Sequence, residues 1–411
     1  MIKETSSISN IKYIVIDSRL GKNPYDKKVL LRILDSSIAE SCLKVFLNYI
    51  NEPELADDLL DNLLDAPISY TNVNIENKKN GIDFEKVLKL VSEFEKHPIS
   101  SVSDKIFLGK KILYLTHRSS KWIRWFKESK ECPGFWLLTT GNFCPHNCKY
   151  CFLNLTLRTR SIPTININLS SFRTEMKKFA SLHPESILLN CGESNDPLAF
   201  EPITKTFSFI ARTVTSYPKK SLLVVTKSCN VYEIPDDLGS VIFSWSINPE
   251  VIQRKFELDS ATTEQRLEAA KYVSEVLEYK IRFRIDPIIC PDLFSYLSNG
   301  SEVNYESFSY ELEPYYKLID KIRKLENLNG ITLGTFRAYS SLFNFIPDFK
   351  ELKSSMEQDV GHLKLPKSFR NWVFSNIEDY INETTLECPI GYCKDTIWKN
   401  ENYCNCLGEK K

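Results

Sequence analysis

The sequence lacks any long apolar run, any excess of one charge and any repeat of fixed period. No stretch approaches the ~20 apolar residues that a membrane-spanning helix needs, and the first ten residues lack the apolar core of a signal peptide. We therefore expect a cytoplasmic protein with no membrane partner. The 53 basic residues balance the 53 acidic residues, so the net charge gives no reason to expect non-specific binding to nucleic acid.

The composition is that of an ordinary globular protein. Hydrophobic residues make up 42% of the chain and charged residues 26%, which lies outside the range of disordered proteins. A chain of 411 residues is long enough for one large catalytic domain with flanking extensions, or for two domains.

The twelve cysteines are unevenly distributed. Disulfides are rare in a reducing compartment, so clustered cysteines there indicate metal binding or catalysis. Isolated cysteines usually behave as small buried apolar residues. Four are isolated, Cys42, Cys132, Cys229 and Cys290; one cluster is Cys144, Cys148 and Cys151, a second is Cys388, Cys393, Cys404 and Cys406, and the twelfth, Cys191, follows the second predicted strand.

Apolar runs alternate with helical patterns from about residue 135 onward. This alternation predicts a parallel sheet covered by helices. The predicted strands are Phe135–Leu138, Ile187–Asn190, Leu222–Thr226, Val241–Ile247, Ile281–Ile289 and Ile331–Phe336. The predicted helices are Ser170–Leu182, Phe200–Ser216, Thr262–Glu278 and Tyr310–Leu325, the third opening with a capping box.

Six strand–helix units favour an α/β fold with a partial (β/α)6 TIM-like barrel over a flat doubly wound sheet. We expect three parts: an N-terminal α/β extension over 1–130, the barrel over 131–340 and a C-terminal extension with a cysteine-rich tail over 341–411. Within the first part, Tyr13–Asp17 predicts a strand and Phe84–Phe94 a helix.

Polar groups follow most of the predicted strands where each one ends. Catalytic residues of parallel α/β folds gather at the carboxyl ends of the strands. The cysteine loop follows the first strand, and Cys191–Asp196, Thr226–Lys227, Ser246–Asn248 and Asp286–Pro287 stand at the ends of the next four. This convergence favours an enzyme.

The loop after the first strand has the spacing Cys-x3-Cys-x2-Cys, with Tyr150 directly before the third cysteine. Three thiolates can each bind one iron of a four-iron cluster and leave the fourth iron open for the amino and carboxylate groups of a ligand. Reductive cleavage of S-adenosylmethionine requires such an open iron. The alternative is a structural zinc site with His146 as a fourth ligand.

Beyond these cysteines, the chain resembles the radical S-adenosylmethionine superfamily, and within it the spore photoproduct lyase family. The resemblance extends over residues 10–350 and rests on the segments IKYIVIDSRLGKNP, CPHNCKYC, ESNDPLAFEPIT, VVTK and FSWSINPEVIQRKFELDSATTEQRLEAA. It implies a 4Fe–4S cluster, S-adenosylmethionine, hydrogen-atom abstraction and a reductant such as flavodoxin or ferredoxin. Among its implied substrates are pyrimidine lesions in DNA.

The resemblance also assigns residues. Cys144, Cys148 and Cys151 would ligate the cluster, and Tyr150 would lie near the adenine. Contacts to S-adenosylmethionine would come from Ser194 or Asn195, from Lys227, and from Ser246 with Asn248. The alternatives are a solvated lysine at position 227 and polar side chains that only satisfy a strand end.

Two positions depart from the family pattern. Alignment on Asp196–Pro197 places Glu193 where the relatives carry a hydrogen-donating cysteine. Cys191 lies two residues earlier and would face the same side of an extended strand, where it could substitute or be a buried structural residue. Phe152 replaces a tyrosine of the relatives. Both departures fall on the steps that quench the product radical.

Two further segments leave alternatives open. Cys388, Cys393, Cys404 and Cys406 could hold a second iron–sulfur cluster or zinc, or remain uncoordinated. The stretch Lys121–Lys127 interleaves basic and aromatic residues, which could stack on bases or form an amphipathic helix. The competing functions are a radical enzyme that modifies a peptide or small-molecule natural product, and a zinc-stabilised nucleic-acid-binding protein without catalysis.

Overall fold

The computed structural model of the protein describes residues 10–49, 70–75, 84–127, 132, 134–157, 162–299, 303–359, 362–384 and 388–393. Its strands are β1 (Tyr13–Asp17), β2 (Leu43–Tyr49), β3 (Tyr70–Ile75), β4 (Ile112–Thr116), β5 (Ile123–Phe126), β6 (Phe135–Leu138), β7 (Gly141–Asn142), β8 (Asn147–Cys148), β9 (Thr164–Asn166), β10 (Ile187–Cys191), β11 (Lys220–Thr226), β12 (Val241–Ser246), β13 (Glu257–Leu258), β14 (Lys280–Ile288), β15 (Leu328–Thr335), β16 (Arg337–Ala338), β17 (Glu357–Asp359), β18 (His362–Lys364) and β19 (Ile390–Tyr392).

The α-helices lie mostly between these strands. They are α1 (Pro24–Leu34), α2 (Ser37–Glu40), α3 (Glu85–Glu95), α4 (Val102–Gly109), α5 (Leu153–Leu157), α6 (Leu169–Leu182), α7 (Glu201–Thr204), α8 (Thr206–Thr215), α9 (Glu250–Phe256), α10 (Thr263–Glu275), α11 (Pro291–Ser298), α12 (Glu313–Ile322) and α13 (Lys367–Glu383). None of the described helices is long and apolar enough to cross a membrane.

The largest sheet has the order β19-β15-β14-β12-β11-β10-β6-β5, and all its neighbours pair in parallel except β5 with β6. Its six central strands are the six predicted from the sequence. In the described part of the chain the sheet has two free edges, β5 and β19, so it forms a partial barrel. The predicted fold class is confirmed.

Two predicted segments differ from the structure. Lys121–Lys127 contains the edge strand β5 rather than a helix, because Trp125 pairs with Trp136 across the antiparallel ladder to β6. The helix expected over Phe200–Ser216 is interrupted at Lys205, whose positive φ of 51° ends α7 and begins α8.

The beginning of α10 forms the predicted capping box. The Thr262 hydroxyl accepts from the Gln265 amide at 3.2 Å, and the Gln265 side chain accepts from the Thr262 amide at 2.9 Å. These two bonds satisfy free N–H groups at the helix start. They fix the helix that carries Arg266 toward the barrel.

A second sheet has the order β3-β2-β1-β4-β9-β7 and is parallel apart from β7. Strands β7 and β9 come from the part of the chain assigned to the barrel, while β5 and β19 come from the two predicted extensions. The strands of the two sheets are thus interleaved along the sequence. The division at residues 130 and 340 stays a prediction.

Candidate active site

A cavity of about 260 Å³ opens at the carboxyl ends of the barrel strands. Its wall contains the cysteine loop, the residues that follow β10 and β11, the last residue of β12 and the end of β14. Parallel strands deliver their carboxyl ends to one edge of a sheet, which explains why residues far apart in the sequence meet here.

The cysteine loop is tied down by its backbone. Strand β8 pairs antiparallel with β13, so that Cys148 lies opposite Glu257. The amide of Lys149 donates to the carbonyl of Phe256 at 2.8 Å. The thiols of Cys144, Cys148 and Cys151 all line the cavity.

A buried cation lies beside the three thiols. The ammonium group of Lys110 donates to the backbone carbonyl of His146 and to the side chain of Asn147. Burial lowers the pKa of Lys110, and the charges of the nearby thiols oppose this shift. A lysine held in this position would offset the negative charge of cysteine-ligated iron.

Burial disfavours the thiolate form of all three cysteines. Burial raises the pKa of Cys148 to about 12, and it also raises the pKa of Cys151 and of Cys144. Metal ligation requires thiolates, so a metal must displace these protons. Three cavity-lining thiols with a neighbouring cation fit a four-iron cluster with one open iron.

A mononuclear zinc site fits less well. Both ring nitrogens of His146 face other groups: Nδ1 lies 2.9 Å from the carbonyl oxygen of Asp259, and Nε2 lies 3.1 Å from Asp196. His146 is therefore a positioning residue in this structure and not the zinc ligand considered from the sequence.

Asp196 connects the cysteine loop to β11. Its carboxylate accepts from the Thr226 hydroxyl and from the Lys227 amide, both at 2.7 Å. Burial alone would raise the pKa of Asp196, but the bonds from His146, Lys227 and Thr226 outweigh it and lower the pKa. Because three segments meet on this carboxylate, Asp196 fixes the backbone that presents Lys227.

A second buried carboxylate, Glu257, holds the side chains around Lys227. Arg266 donates to it at 2.6 Å and Asn248 at 2.9 Å, the ammonium group of Lys227 lies 3.5 Å away, and Tyr150 donates its hydroxyl. Burial would raise the pKa of Glu257, yet Arg266 and Lys227 lower it well below its usual value. Glu257 is thus an anion that orders four neighbours.

No role was predicted from the sequence for Glu257 or for Arg266. Both side chains are fully buried. They stand nine positions apart, on β13 and α10, and nothing in their local patterns signals a contact. The only signal for these two residues in the sequence is that both lie in the segment FSWSINPEVIQRKFELDSATTEQRLEAA, which resembles the family.

The predicted cofactor-binding residues separate into two groups. Tyr150, Lys227, Ser246 and Asn195 line the cavity, and the ammonium group of Lys227 lies 5.7 Å from the centre of the Tyr150 ring and donates to Ser246.

The other two do not line the cavity. Ser194 donates its hydroxyl to the carbonyl of Gly141 at 2.9 Å. Asn248 is fully buried and lies behind the cavity wall, against Glu257.

The two predicted catalytic residues differ in their access to the cavity. Glu193 lines the cavity, whereas Cys191 is fully buried in the core, with its thiol 3.5 Å from the carbonyl of Leu223. The strand ends at Cys191, and Gly192 turns the chain with φ of 113°, so the alternation of an extended strand does not continue. An added Cβ at Gly192 would lie 2.4 Å from the carbonyl oxygen of Val225. The structure therefore favours a structural Cys191.

Three charged residues that line the cavity, Arg284, Asp286 and Arg337, form an ion network. Arg337 holds the carboxylate of Asp286 with two bonds of 2.9 and 3.0 Å, and Arg284 lies 3.3 Å from the same group. Both guanidinium groups also donate to the sulfur of Cys393, at 3.3 Å from Arg284 and 3.2 Å from Arg337. This cluster was not predicted from the sequence.

The tail cysteines do not all lie within the described residues. Cys393 lines the cavity, and Cys388 is half-buried away from it, where burial raises the pKa of its thiol to about 11. Cys404 and Cys406 lie outside the described residues. A metal site of these four thiols stays a prediction.

Comparisons with known proteins agree with this arrangement. The family model described as spore photoproduct lyase matches residues 107–313. The spore photoproduct lyase of Geobacillus sp. (strain Y412MC61) is 27% identical over 203 residues, 47% of this chain and 55% of that protein. That of Bacillus subtilis (strain 168) is 23% identical over 173 residues, 41% of this chain and 48% of the relative. The chain thus spans about half the length of these curated relatives.

Solved structures extend the likeness to nearly the whole fold. A spore photoproduct lyase complexed with a dinucleoside spore photoproduct gives a TM-score of 0.63 at 14% identity, covering 93% of this chain and 99% of that one. A variant with bound AdoMet and the same dinucleoside gives 0.62 at 15% identity, covering 92% and 98%.

A partial barrel with a Cys-x3-Cys-x2-Cys loop after its first strand defines the class of radical S-adenosylmethionine proteins, whose cofactors are a 4Fe–4S cluster and S-adenosylmethionine. Because the family model covers half of the sequence, the assignment can be narrowed further. The chain belongs to the spore photoproduct lyase family.

Proposed function

We propose that the chain is a radical S-adenosylmethionine enzyme that abstracts a hydrogen atom from a pyrimidine lesion in DNA. The observation that carries this proposal is the single cavity shared by Lys227 and the thiols of Cys144, Cys148 and Cys151. Family membership supports the lesion as substrate, because both curated relatives are spore photoproduct lyases and one solved relative holds a dinucleoside spore photoproduct.

The cavity residues take distinct roles in this proposal. When bound by the three cysteines, the cluster with S-adenosylmethionine supplies the 5′-deoxyadenosyl radical. Lys227 meets the carboxylate of S-adenosylmethionine, Ser246 and Asn195 hold its amine and ribose, and Tyr150 lies near the adenine. Asn248 and Glu257 act behind the wall by keeping Lys227 in place.

Electrons for the cluster must come from a separate reductant, and we propose a flavodoxin or ferredoxin. DNA binding needs contacts to phosphate and extrusion of the damaged base. Glu193 lines the same cavity and would contact the extruded base, while Ser194 supports the loop backbone through Gly141.

Isotope transfer tests the substrate. Anaerobically reconstituted protein is mixed with S-adenosylmethionine and a dinucleotide lesion that carries deuterium at the abstracted position. We expect deuterium in 5′-deoxyadenosine by mass spectrometry. An undamaged dinucleotide of the same sequence is the matched control and should transfer none.

Two other outcomes would reject the proposal in different ways. Deuterium transfer from a peptide or metabolite, but not from the lesion, would indicate a modifying enzyme. Protein that is colourless, contains zinc and cleaves no S-adenosylmethionine would indicate the non-catalytic zinc protein instead of a brown iron–sulfur enzyme.

Replacement of Lys227 by methionine removes one cation from the wall. We expect the affinity for S-adenosylmethionine to fall about 10- to 100-fold, because a hydrogen bond between charged groups contributes about 1.5–3 kcal/mol. Equilibrium dialysis measures this Kd directly.

Lys149→Met is the matched control, since Lys149 lies on the cysteine loop but pairs with the exposed Asp348 at 3.2 Å. Its affinity should equal that of the parent. An unchanged Kd for Lys227→Met would remove Lys227 from the binding residues.

A further inference from the structure

We propose that Cys393 is the thiol that returns a hydrogen atom to the substrate, an inference that rests on the proposed function. Abstraction leaves the substrate one hydrogen short, so repair without net oxidation needs a group that gives a hydrogen back. That group has to lie on the cavity wall beside the substrate and carry a hydrogen bound weakly enough to transfer as an atom.

The positions expected to do this are unsuitable here. Glu193 carries a carboxyl group, Phe152 has no hydroxyl group, and Cys191 is buried in the core away from the cavity. Among the described cysteines that line the cavity, three belong to the cluster loop. The two that remain are Cys132 and Cys393.

Geometry separates these two. Cys132 packs in a small apolar cluster with Phe135 and Leu137. Cys393 follows β19 directly, and its amide donates to the carbonyl of Leu333 at 2.9 Å, so its side chain stands at the carboxyl end of the sheet with the other wall residues. The C-terminal segment that contains β19 thereby places a thiol at the carboxyl ends of the barrel strands.

The ion network holds this sulfur in place. Arg284 and Arg337 both donate to it, and their side chains are only 11% and 13% exposed. Asp286 offsets part of their charge. The two donors hold the sulfur on the cavity wall. A fixed group transfers a hydrogen atom with less loss of entropy.

The transfer balances over one turnover. The S–H bond of Cys393 breaks homolytically as a C–H bond forms at the substrate carbon radical, leaving a sulfur radical. That sulfur would recover a hydrogen atom from the methyl group of the 5′-deoxyadenosine formed at the first step. The 5′-deoxyadenosyl radical regenerated in this way would re-form the C–S bond with methionine, and one electron would return to the cluster. No outside oxidant or reductant is consumed by the two transfers.

Cys393→Ala tests the proposal in reconstituted full-length protein. We expect cleavage of S-adenosylmethionine and deuterium transfer from the labelled lesion to continue, because both precede the thiol step. The yield of intact repaired product per abstraction should fall at least tenfold, with oxidised or cross-linked products in its place. Cys132→Ala is the matched control and should repair as the parent does.

These readouts keep the two proposals apart. Loss of deuterium transfer in the parent would reject the proposed function, whereas parent-like repair by Cys393→Ala would reject only the role of Cys393. Repair lost in Cys132→Ala and kept in Cys393→Ala would assign the transfer to Cys132.

A second measurement needs no variant and no turnover. Iodoacetamide labelling of the parent, followed by peptide mass spectrometry, should modify Cys393, and the dinucleotide lesion should slow this modification at least tenfold while an undamaged dinucleotide does not. Labelling that is indifferent to the lesion would overturn the proposal. So would a second iron–sulfur cluster that disappears in Cys393→Ala, since a ligated sulfur has no hydrogen to give.

Discussion

The Cys148→Ala protein is expected to hold no four-iron cluster and to cleave no S-adenosylmethionine. Two remaining thiols cannot bind three irons, and cleavage depends on the open iron of the intact cluster. Removal of the side chain leaves the backbone pairing of Cys148 with Glu257 in place, so the loop should keep its position. Iron analysis, electron paramagnetic resonance and chromatography of 5′-deoxyadenosine measure the three consequences.

Cys42→Ala provides the control for this experiment. Cys42 is also buried, but it lies near the N-terminal sheet, with its thiol 3.5 Å from the carbonyl of Ile11. It should retain the iron content and cleavage of the parent. A Cys148→Ala protein with parental iron and parental cleavage would remove Cys148 from the ligands and leave the loop without its proposed chemistry.

Local sequence patterns predicted most of the barrel because its strands are short apolar runs. Val241–Ile247 and Ile281–Ile289 contain alternating or continuous apolar residues over the length of a strand, and the structure has β12 and β14 there. Thr262 and Gln265 signalled the start of α10 through their own hydrogen bonds. Such features depend on residues that are close in the sequence, so they can be predicted without knowledge of the fold.

Features that depend on distant partners could not be predicted in this way. The aromatic and basic residues around Trp125 suit a helix or a strand equally, and the ladder to Trp136 decides between them. Cys191 is buried while Glu193 lines the cavity, because the backbone turns at Gly192. Cys393 reaches the cavity only because β19 pairs with β15.

The buried ion pair of Arg266 and Glu257 belongs to the same group of features and has a large expected effect on stability. Arg266→Met leaves the Glu257 carboxylate in the core with one fewer cation, and it also removes the donors to the carbonyl of Ser246 and the hydroxyl of Ser260. Loss of one partner of a buried pair costs about 3–5 kcal/mol. Thermal unfolding of the anaerobic protein should show a clear decrease in Tm.

Arg254→Met is the control that distinguishes loss of this buried ion pair from loss of an exposed one. Arg254 pairs with Glu250 on the surface of α9, where both side chains are largely exposed. An exposed pair contributes at most about 1 kcal/mol, so its Tm should be close to that of the parent. The double variant Arg266→Met/Glu257→Leu should have a higher Tm than Arg266→Met alone, because it buries no unpaired carboxylate. If Arg266→Met and Arg254→Met unfold at the same temperature, Arg266 does not stabilise the buried carboxylate of Glu257. The position of Lys227 must then depend on other contacts.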